Sequence, residues 1–227
     1  MKFFVKWNTI KGKKTVQGNK HERTVDMETS KQDFAKILAD ILNDEDITNQ
    51  DIPQIDLYID QIISLFESKL ATGKTRDNEK LLTKTMVNNY SKEGLITPLK
   101  GKKYAKEQIL QILFIYYLKQ TLSIQDIKKV MQGVSTELSG EQAEQGLMQL
   151  NESYTRIKTY IREQAPRLLE AMYLQKQFTV ENKQDIMLAL LGLAATSSYI
   201  NKMSLQLVDL YFDQTAEKSA GKKSEKA

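Results

Sequence analysis

The feature that most constrains the fold of this chain is the spacing of its apolar residues, which recur every three or four positions in most segments. One such series runs through Ile55, Ile59, Ile62, Phe66 and Leu70. This spacing lines apolar side chains along one face of an α-helix. The chain also has only 10 Gly and 3 Pro among 227 residues, few for the many turns of an all-β fold. A mostly α-helical fold is therefore predicted.

Signals for helix starts and ends divide this pattern into separate helices. Side chains able to cap a helix N-terminus occur at Ser30, Thr83, Ser123 and Ser139. The predicted helices are 30–43, 53–70, 84–92, 106–118, one from 124, one from 140 and 180–212. Because proline lacks a backbone donor, Pro166 is predicted to kink or end the helix that contains it. The segment Ile186–Ala195 is apolar nearly all round and is predicted to be buried.

Composition excludes several classes of site. The chain has no Cys and a single His, His21, which argues against disulfides, thiolate metal sites and Ser–His catalysis. Its longest uncharged apolar run is about half of the roughly 20 residues that a membrane span needs. The first residues are charged too early for a signal peptide. We therefore expect a cytoplasmic protein that is not an enzyme, with no membrane contact, metal or cofactor.

Charge is distributed unevenly along the chain. Residues 27–79 hold five basic and twelve acidic residues, whereas residues 80–132 hold ten lysines against three acidic residues, a net charge of +7. A basic block of this kind is a candidate surface for a polyanion, and nucleic acid is the commonest such partner. The alternative is that these lysines are scattered over solvated faces.

The segment 83–104 combines a short predicted helix with a basic loop. Gly94 suits the left-handed position after the helix, and 99–104 is predicted to form a small hairpin turned at Gly101. Together with the helix that follows, these elements predict a winged helix-turn-helix. Such a module lays one helix in the major groove of DNA and presses its wing against the phosphate backbone.

Helix 84–92 is accordingly predicted to be the recognition helix, and 99–104 the wing. Asn88 could pair with adenine through two hydrogen bonds, although it could equally be an ordinary asparagine on a helix surface. The lysines of the wing are placed to clamp phosphates. The predicted DNA-binding residues are Lys84, Thr85, Asn88, Asn89, Lys92, Lys100, Lys102, Lys103 and Tyr104.

Motifs in this region resemble two bacterial families. Features similar to the MerR type of regulator are Tyr90, Gly94-Leu-Ile, Pro98, the basic wing ending at Tyr104 and Ser123-Ile-Gln-Asp-Ile. Features that resemble the family known as domain of unknown function 1836, over about residues 50–132, are Asp56-Leu-Tyr-Ile-Asp-Gln, Leu82-Thr-Lys-Thr-Met-Val-Asn-Asn-Tyr and Lys102-Lys-Tyr. These resemblances imply a mostly α fold, with a MerR-like winged helix-turn-helix and small β-wing followed by a C-terminal helical domain. They also imply double-stranded DNA as the partner.

A further apolar series has heptad spacing over nearly three repeats. Its residues are Ala143, Leu147, Leu150, Tyr154, Ile157 and Ile161. MerR-like proteins dimerise through a long helix at this place in the chain, so the resemblance implies a homodimer with this seam in the interface. The alternative is that the seam packs within one chain against helix 181–212, as in any helical bundle.

The chain thus divides into four predicted parts: a basic leader (1–29), the DNA-binding module with a preceding helix (30–132), a helical dimerisation or sensing domain (133–215) and a solvated tail (216–227). The leading interpretation is a transcription regulator that binds double-stranded DNA in a sequence-dependent manner. The alternative is a protein-interaction module that keeps the helix-turn-helix fold and uses the acidic 44–60 surface or the C-terminal helices. A small-molecule effector in a cavity near Met172, Met187 or Tyr199 is compatible with either.

Overall fold

The computed structural model of the protein describes residues 36–37, 39–74, 80–99, 101–138, 142–174 and 183–213. The predicted leader (1–29) and tail (216–227) lie outside these residues. So do Lys100 and the predicted caps Ser30 and Ser139.

The described part of the chain is mostly helical, which confirms the predicted fold class at that level. Its helices are α1 (Ile59–Leu70), α2 (Lys84–Lys92), α3 (Lys106–Leu118), α4 (Ile124–Glu137), α5 (Ala143–Leu174) and α6 (Lys183–Phe212). Residues 36–37 and 39–42 are also helical. Within the described ranges there is no β-strand, and the extended backbone forms one isolated antiparallel bridge between Leu57 and Tyr104. The predicted hairpin within 99–104 is therefore not seen, because Tyr104 pairs with the residue that precedes α1 by two positions.

Three of the predicted helix boundaries are confirmed by their local geometry. The Thr83 hydroxyl accepts a hydrogen bond from the backbone N–H of Met86 at 3.1 Å, and the Ser123 hydroxyl accepts one from Asp126 at 3.2 Å. Each bond satisfies a donor that the first turn of a helix leaves without an intrahelical partner. Gly94, just after α2, has a φ of 70°, which glycine adopts without steric cost.

Two other boundaries differ from the prediction. The helix predicted over 53–70 begins at Ile59 rather than at Pro53. The chain before it forms a turn at 48–51, in which the Thr48 backbone N–H donates to the Asp51 carboxylate at 2.8 Å. Ile55 is consequently 69% exposed.

Pro166 neither ends α5 nor divides it. A proline removes one backbone donor, and the turns on either side of Pro166 keep their own bonds.

Helix α3 lies at the centre of the core. Nine of its residues are buried, and they cover its whole circumference between Lys106 and Ile115. It packs against α5 and α4, and its Tyr116 ring meets Phe66 of α1 edge to face at 5.8 Å between centroids. A helix that is apolar on all sides must be surrounded, and these neighbours surround it.

Polar side chains join the segment 47–49 to α3 and α5. The Asn151 amide donates to the Ile47 carbonyl at 3.0 Å and to the Asn49 side-chain oxygen at 3.1 Å. The Asn49 amide in turn donates to the Met148 carbonyl at 2.9 Å. Lys106, buried at the start of α3, donates to the Asn49 carbonyl at 2.9 Å. Asn49, Lys106 and Asn151 are buried, so these bonds satisfy donors and backbone acceptors that would otherwise be costly to bury, although the Asn151 side-chain oxygen has no hydrogen-bond donor within the described residues.

An ion-pair cluster extends this attachment along α5. Asp44 and Asp46 both pair with Lys158 and Arg162, and the Arg162 guanidinium lies 2.9 Å from Asp44 and 3.1 Å from Asp46. Partial burial works against the charge on Arg162, but its hydrogen bonds to the two carboxylates outweigh that effect and raise its pKa. Much of the acidity at 44–46 is therefore neutralised within the chain.

Helix α6 contradicts the prediction that it is buried. Only Val208 is buried among the residues of this helix, and Ile186, Leu188, Leu190 and Leu191 are each more than two-fifths exposed. The C-terminal half of α6 packs on α4: the Phe212 ring lies so close to Gly133 that a Cβ there would be 2.6 Å from it. Its N-terminal half finds no comparable covering among the described residues.

We predict that Asn151→Ala will lower the free energy of unfolding by about 2–6 kcal/mol, because it leaves the Ile47 carbonyl and the Asn49 side-chain oxygen without this donor, at about 1–3 kcal/mol each. The measurement is urea unfolding followed by circular dichroism. Gln149→Ala, an exposed position on the same helix, is the matched control and should change the free energy by less than about 0.5 kcal/mol. An Asn151→Ala midpoint equal to the wild-type value would show that the network contributes nothing to stability.

Candidate nucleic-acid interface

Helix α2 presents a polar and basic surface to solvent. Val87 and Tyr90 are buried in the core and fix the orientation of the helix. The remaining predicted residues of this helix are exposed: Lys84, Thr85, Asn88, Asn89 and Lys92. Residues three or four positions apart share one side of a helix, so the structure brings these five side chains together on one outward face.

The loop after α2 returns to the start of α1. The backbone N–H of Leu57 donates to the Tyr104 carbonyl at 2.9 Å, and that of Tyr104 donates to the Leu57 carbonyl at 2.8 Å. Lys102 and Lys103, immediately before this bridge, are exposed, and the Lys103 ammonium lies 5.0 Å from the centre of the Tyr58 ring. The two described lysines of the predicted wing are thus held beside the N-terminus of α1.

Tyr104 is located in the core rather than on the surface. Its side chain is 5% exposed, and its hydroxyl lies near the Ser91 side chain of α2. Burial raises the pKa of this tyrosine, and the neighbouring Ser91 side chain acts in the opposite direction. Tyr104 therefore attaches the basic loop to α2 and offers little surface of its own to a partner.

Acidic residues before and at the start of α1 adjoin the basic face, and the sequence pattern does not predict this. The Lys84 ammonium lies 2.8 Å from the Asp60 carboxylate, and both side chains are more than half exposed. Asp56 is also exposed. The motif Asp56-Leu-Tyr-Ile-Asp-Gln contains both acids, but nothing in its spacing indicates that one of them contacts α2.

The predicted dimer seam is divided between two environments. Leu147 is buried and Tyr154 stacks on Tyr117 of α3, with ring centroids 4.4 Å apart. Leu150, Ile157 and Ile161 are 43%, 58% and 57% exposed. The seam lies at the boundary between the face of α5 that packs on the core and the face that meets solvent.

The alternative prediction has this seam packed on helix 181–212 of the same chain, whereas in the structure Tyr154 of the seam stacks on α3. Helix α5 packs on α3 and α6 packs on α4. Each long helix therefore covers a different part of the core.

Sites for small ligands are few in the described parts of the chain. No group of three or more His, Cys, Asp or Glu residues there could hold a metal ion. Met187 and Tyr199 are 57% and 72% exposed, so they do not line a cavity, and the side chain of Met172 lies outside the described ones. An open groove of about 770 Å³ lies instead between residues 94–99 and α4.

One helix of the described chain, α6, is long and apolar enough to cross a membrane by length and composition alone, which is weak evidence, and its most apolar part is not buried in the structure.

Comparison with protein families gives one match. Residues 47–157 match the family model described as domain of unknown function DUF1836. This match confirms the predicted resemblance to domain of unknown function 1836 and extends it into the first half of α5. No curated protein and no solved structure is significantly similar to the chain.

We predict that two substitutions of Tyr104 will differ in their effect on stability. Tyr104→Phe removes only the hydroxyl near Ser91 and should lower the free energy of unfolding by at most about 1 kcal/mol. Tyr104→Ala removes a buried ring and should lower it by about 3–5 kcal/mol. Thermal and urea unfolding measure both. If Tyr104→Ala were as stable as the wild type, the residue would have to be a surface contact instead.

Proposed function

We propose that this protein is a transcription regulator that binds double-stranded DNA in a sequence-dependent manner through a MerR-like winged helix-turn-helix. In this proposal α1 and α2 are the two helices of the motif, α2 is the recognition helix, and the loop 99–104 is the wing. The observation that carries it is the outward face of α2, which joins two lysines with Thr85, Asn88 and Asn89 and is held by Tyr104 to a loop bearing two exposed lysines. The proposal implies a cytoplasmic protein.

The chemistry of these side chains assigns them different tasks. Lys102 and Lys103 would contact phosphates, because an ammonium group is a point charge that attracts any phosphate without reading a base. Asn88 and Asn89 can donate and accept hydrogen bonds at once, as the edge of adenine in the major groove requires. The proposal therefore attributes affinity to the loop and sequence preference to the helix.

The Asp60–Lys84 ion pair bears on the strength of binding. A carboxylate beside the recognition helix repels phosphate and competes for Lys84. Because both side chains are well exposed, the pair is weak and can open when DNA supplies another anion. Asp60 would thus reduce affinity for all sequences without preventing binding.

A second candidate function is protein interaction without DNA binding. The observation that favours it is the set of large apolar side chains that α5 and α6 leave exposed, since extended apolar surfaces mark interaction sites. The acidic 44–60 surface supports it less, since Asp44 and Asp46 are paired with α5. An effector at the groove beside α4 is a further hypothesis that either function would accommodate.

We predict that Lys102→Ala and Lys103→Ala will each weaken binding to duplex DNA and reduce the slope of log affinity against log salt concentration by about one, as expected for the loss of one phosphate contact. Fluorescence anisotropy with a labelled duplex, measured from low to moderate salt, gives both quantities. Lys36→Ala, an exposed lysine outside the matched family region, is the matched control and should leave the slope unchanged. Wild-type protein that binds no duplex at low salt would contradict the proposal.

We also predict that Asp60→Asn will strengthen DNA binding by up to about five-fold, because it removes a negative charge beside Lys84, and exposed ion pairs are worth up to about 1 kcal/mol. The gain should disappear in the double variant with Lys84→Ala and should shrink as salt is added. Asp209→Asn, an exposed aspartate on α6, controls for the change in net charge. Equal gains from Asp60→Asn and Asp209→Asn would show that Asp60 has no special place at the interface.

A further inference from the structure

Tyr58 lies between the basic loop and the start of α1, and the proposed function assigns no task to it. It is the residue just before α1, and its side chain is 51% exposed. The bridge between Leu57 and Tyr104 is antiparallel, so the residue after Leu57 lies opposite the residue before Tyr104. Residues that face each other across an antiparallel pair bring their side chains close together. This register places Tyr58 beside Lys103.

The backbone of Tyr58 is fixed on both sides. Leu57, the preceding residue, is buried and makes both hydrogen bonds of the bridge to Tyr104, at 2.9 and 2.8 Å. The Tyr58 N–H donates to the Gln61 side chain at 2.9 Å, and the Tyr58 carbonyl accepts from the Gln61 backbone N–H at 3.0 Å. A side chain on a restrained backbone can adopt only a few rotamers, so the ring offers a defined surface to its neighbour.

The Lys103 ammonium lies over this ring, 5.0 Å from its centre. This distance is within the roughly 6 Å over which the face of an aromatic ring attracts a cation. Among the described residues, Lys103 takes part in no salt bridge. The Tyr58 ring is thus the partner that the described structure gives to the Lys103 ammonium.

An aromatic ring and a carboxylate affect a neighbouring lysine differently. Asp60 pairs with Lys84 at 2.8 Å, and a phosphate must compete with that carboxylate for the ammonium group. The Tyr58 ring carries no net charge, so it orients the Lys103 ammonium without neutralising it. An ammonium group has three donors, and a ring on one side of it leaves the others available to a phosphate. Lys84 is therefore partly neutralised within the chain, whereas Lys103 is oriented with its charge intact.

We propose that Tyr58 is a positioning residue, whose ring holds the Lys103 ammonium in place to meet the phosphate backbone of DNA. The inference rests on the proposed function, because that function assigns Lys103 to a phosphate. Binding orders a flexible lysine side chain at a cost in conformational entropy, and a lysine that a ring already holds loses less freedom. Tyr58 therefore strengthens DNA binding by acting through Lys103.

A double-variant cycle in the full chain measures the coupling between Tyr58 and Lys103. Affinity for a labelled DNA duplex is followed by fluorescence anisotropy at low salt. Tyr58→Leu, which removes the ring, should weaken binding by about two- to five-fold, the range expected for an exposed contact between a cation and a ring. The same substitution should have no effect in the Lys103→Ala background and its full effect in the Lys102→Ala background.

Two further variants separate the ring from other roles of the residue. Tyr58→Phe keeps the ring and loses only the hydroxyl, so it should bind DNA as the wild type does. Tyr199→Leu is the matched control on α6, where an exposed ring has the Lys202 ammonium 5.9 Å from its centre, and it should leave DNA affinity unchanged. Circular dichroism and urea unfolding establish that each variant is folded.

A measurement without DNA detects the contact itself. Protons over the face of an aromatic ring resonate upfield, so the ε-methylene signal of Lys103 should be displaced from those of other exposed lysines in the NMR spectrum of a chain with isotopically labelled lysine. Lys103→Arg identifies the signal by its loss. Tyr58→Leu should remove the displacement, whereas Tyr58→Phe should keep it. The wild-type spectrum tests the contact even if Tyr58→Leu does not fold.

Three results would overturn the inference. These are a wild-type Lys103 signal without displacement, equal effects of Tyr58→Leu in the Lys102→Ala and Lys103→Ala backgrounds, and a loss of affinity in Tyr58→Phe as large as that in Tyr58→Leu. A wild type that binds no duplex would contradict the proposed function, and the binding role of Tyr58 with it, while a displaced Lys103 signal would still show the ring contact. Normal DNA binding without the displaced signal would contradict the role of Tyr58 alone.

Discussion

The burial of α3 on all sides is the constraint on which the rest of the structure depends. Three separate parts of the family-matched region make a specific contact with this helix: Phe66 of α1 through Tyr116, the loop after α2 through a 2.9 Å hydrogen bond from the Thr97 N–H to Gln111, and the segment before α1 through Lys106. A helix without a solvated face must lie inside the fold. Helices α1, α2 and α5 are therefore arranged around α3. The outward direction of α2 follows from this arrangement.

The fold could be predicted wherever local chemistry decides it. Thr83 and Ser123 cap their helices because a hydroxyl satisfies first-turn donors in almost any surroundings, and Gly94 takes a conformation that most residues avoid. The errors have a common origin in contacts between distant residues. Tyr104 pairs with Leu57 and not within a local hairpin. Asp44 and Asp46 are not simply solvated, because they pair with Lys158 and Arg162, more than 110 positions away. Periodicity along the chain does not reveal such partners.

In the candidate site, too, local features could be predicted from the sequence and contacts between distant residues could not. Helical spacing alone places Lys84, Thr85, Asn88 and Lys92 on one side of α2, and the structure has them exposed there. What spacing could not distinguish is an aromatic residue that faces a partner from one that holds a loop in place, and Tyr104 is of the second kind. Nor could it show that Asp60, from a different helix, would lie against Lys84. A basic block in the sequence overstates the basic surface when acids from a distant segment adjoin it.

Most of α6 is exposed, although its sequence predicts burial. The prediction of burial was physically sound, because fifteen uncharged residues that are apolar around a helix are costly to leave in water. In a single chain, however, α3 already receives α5, and α4 receives only the C-terminal half of α6. Among the described residues, no other part of the core covers residues 186–200. The apolar pattern of a helix indicates how strongly it would gain from burial, but it does not show whether the rest of the chain has a surface left to cover it.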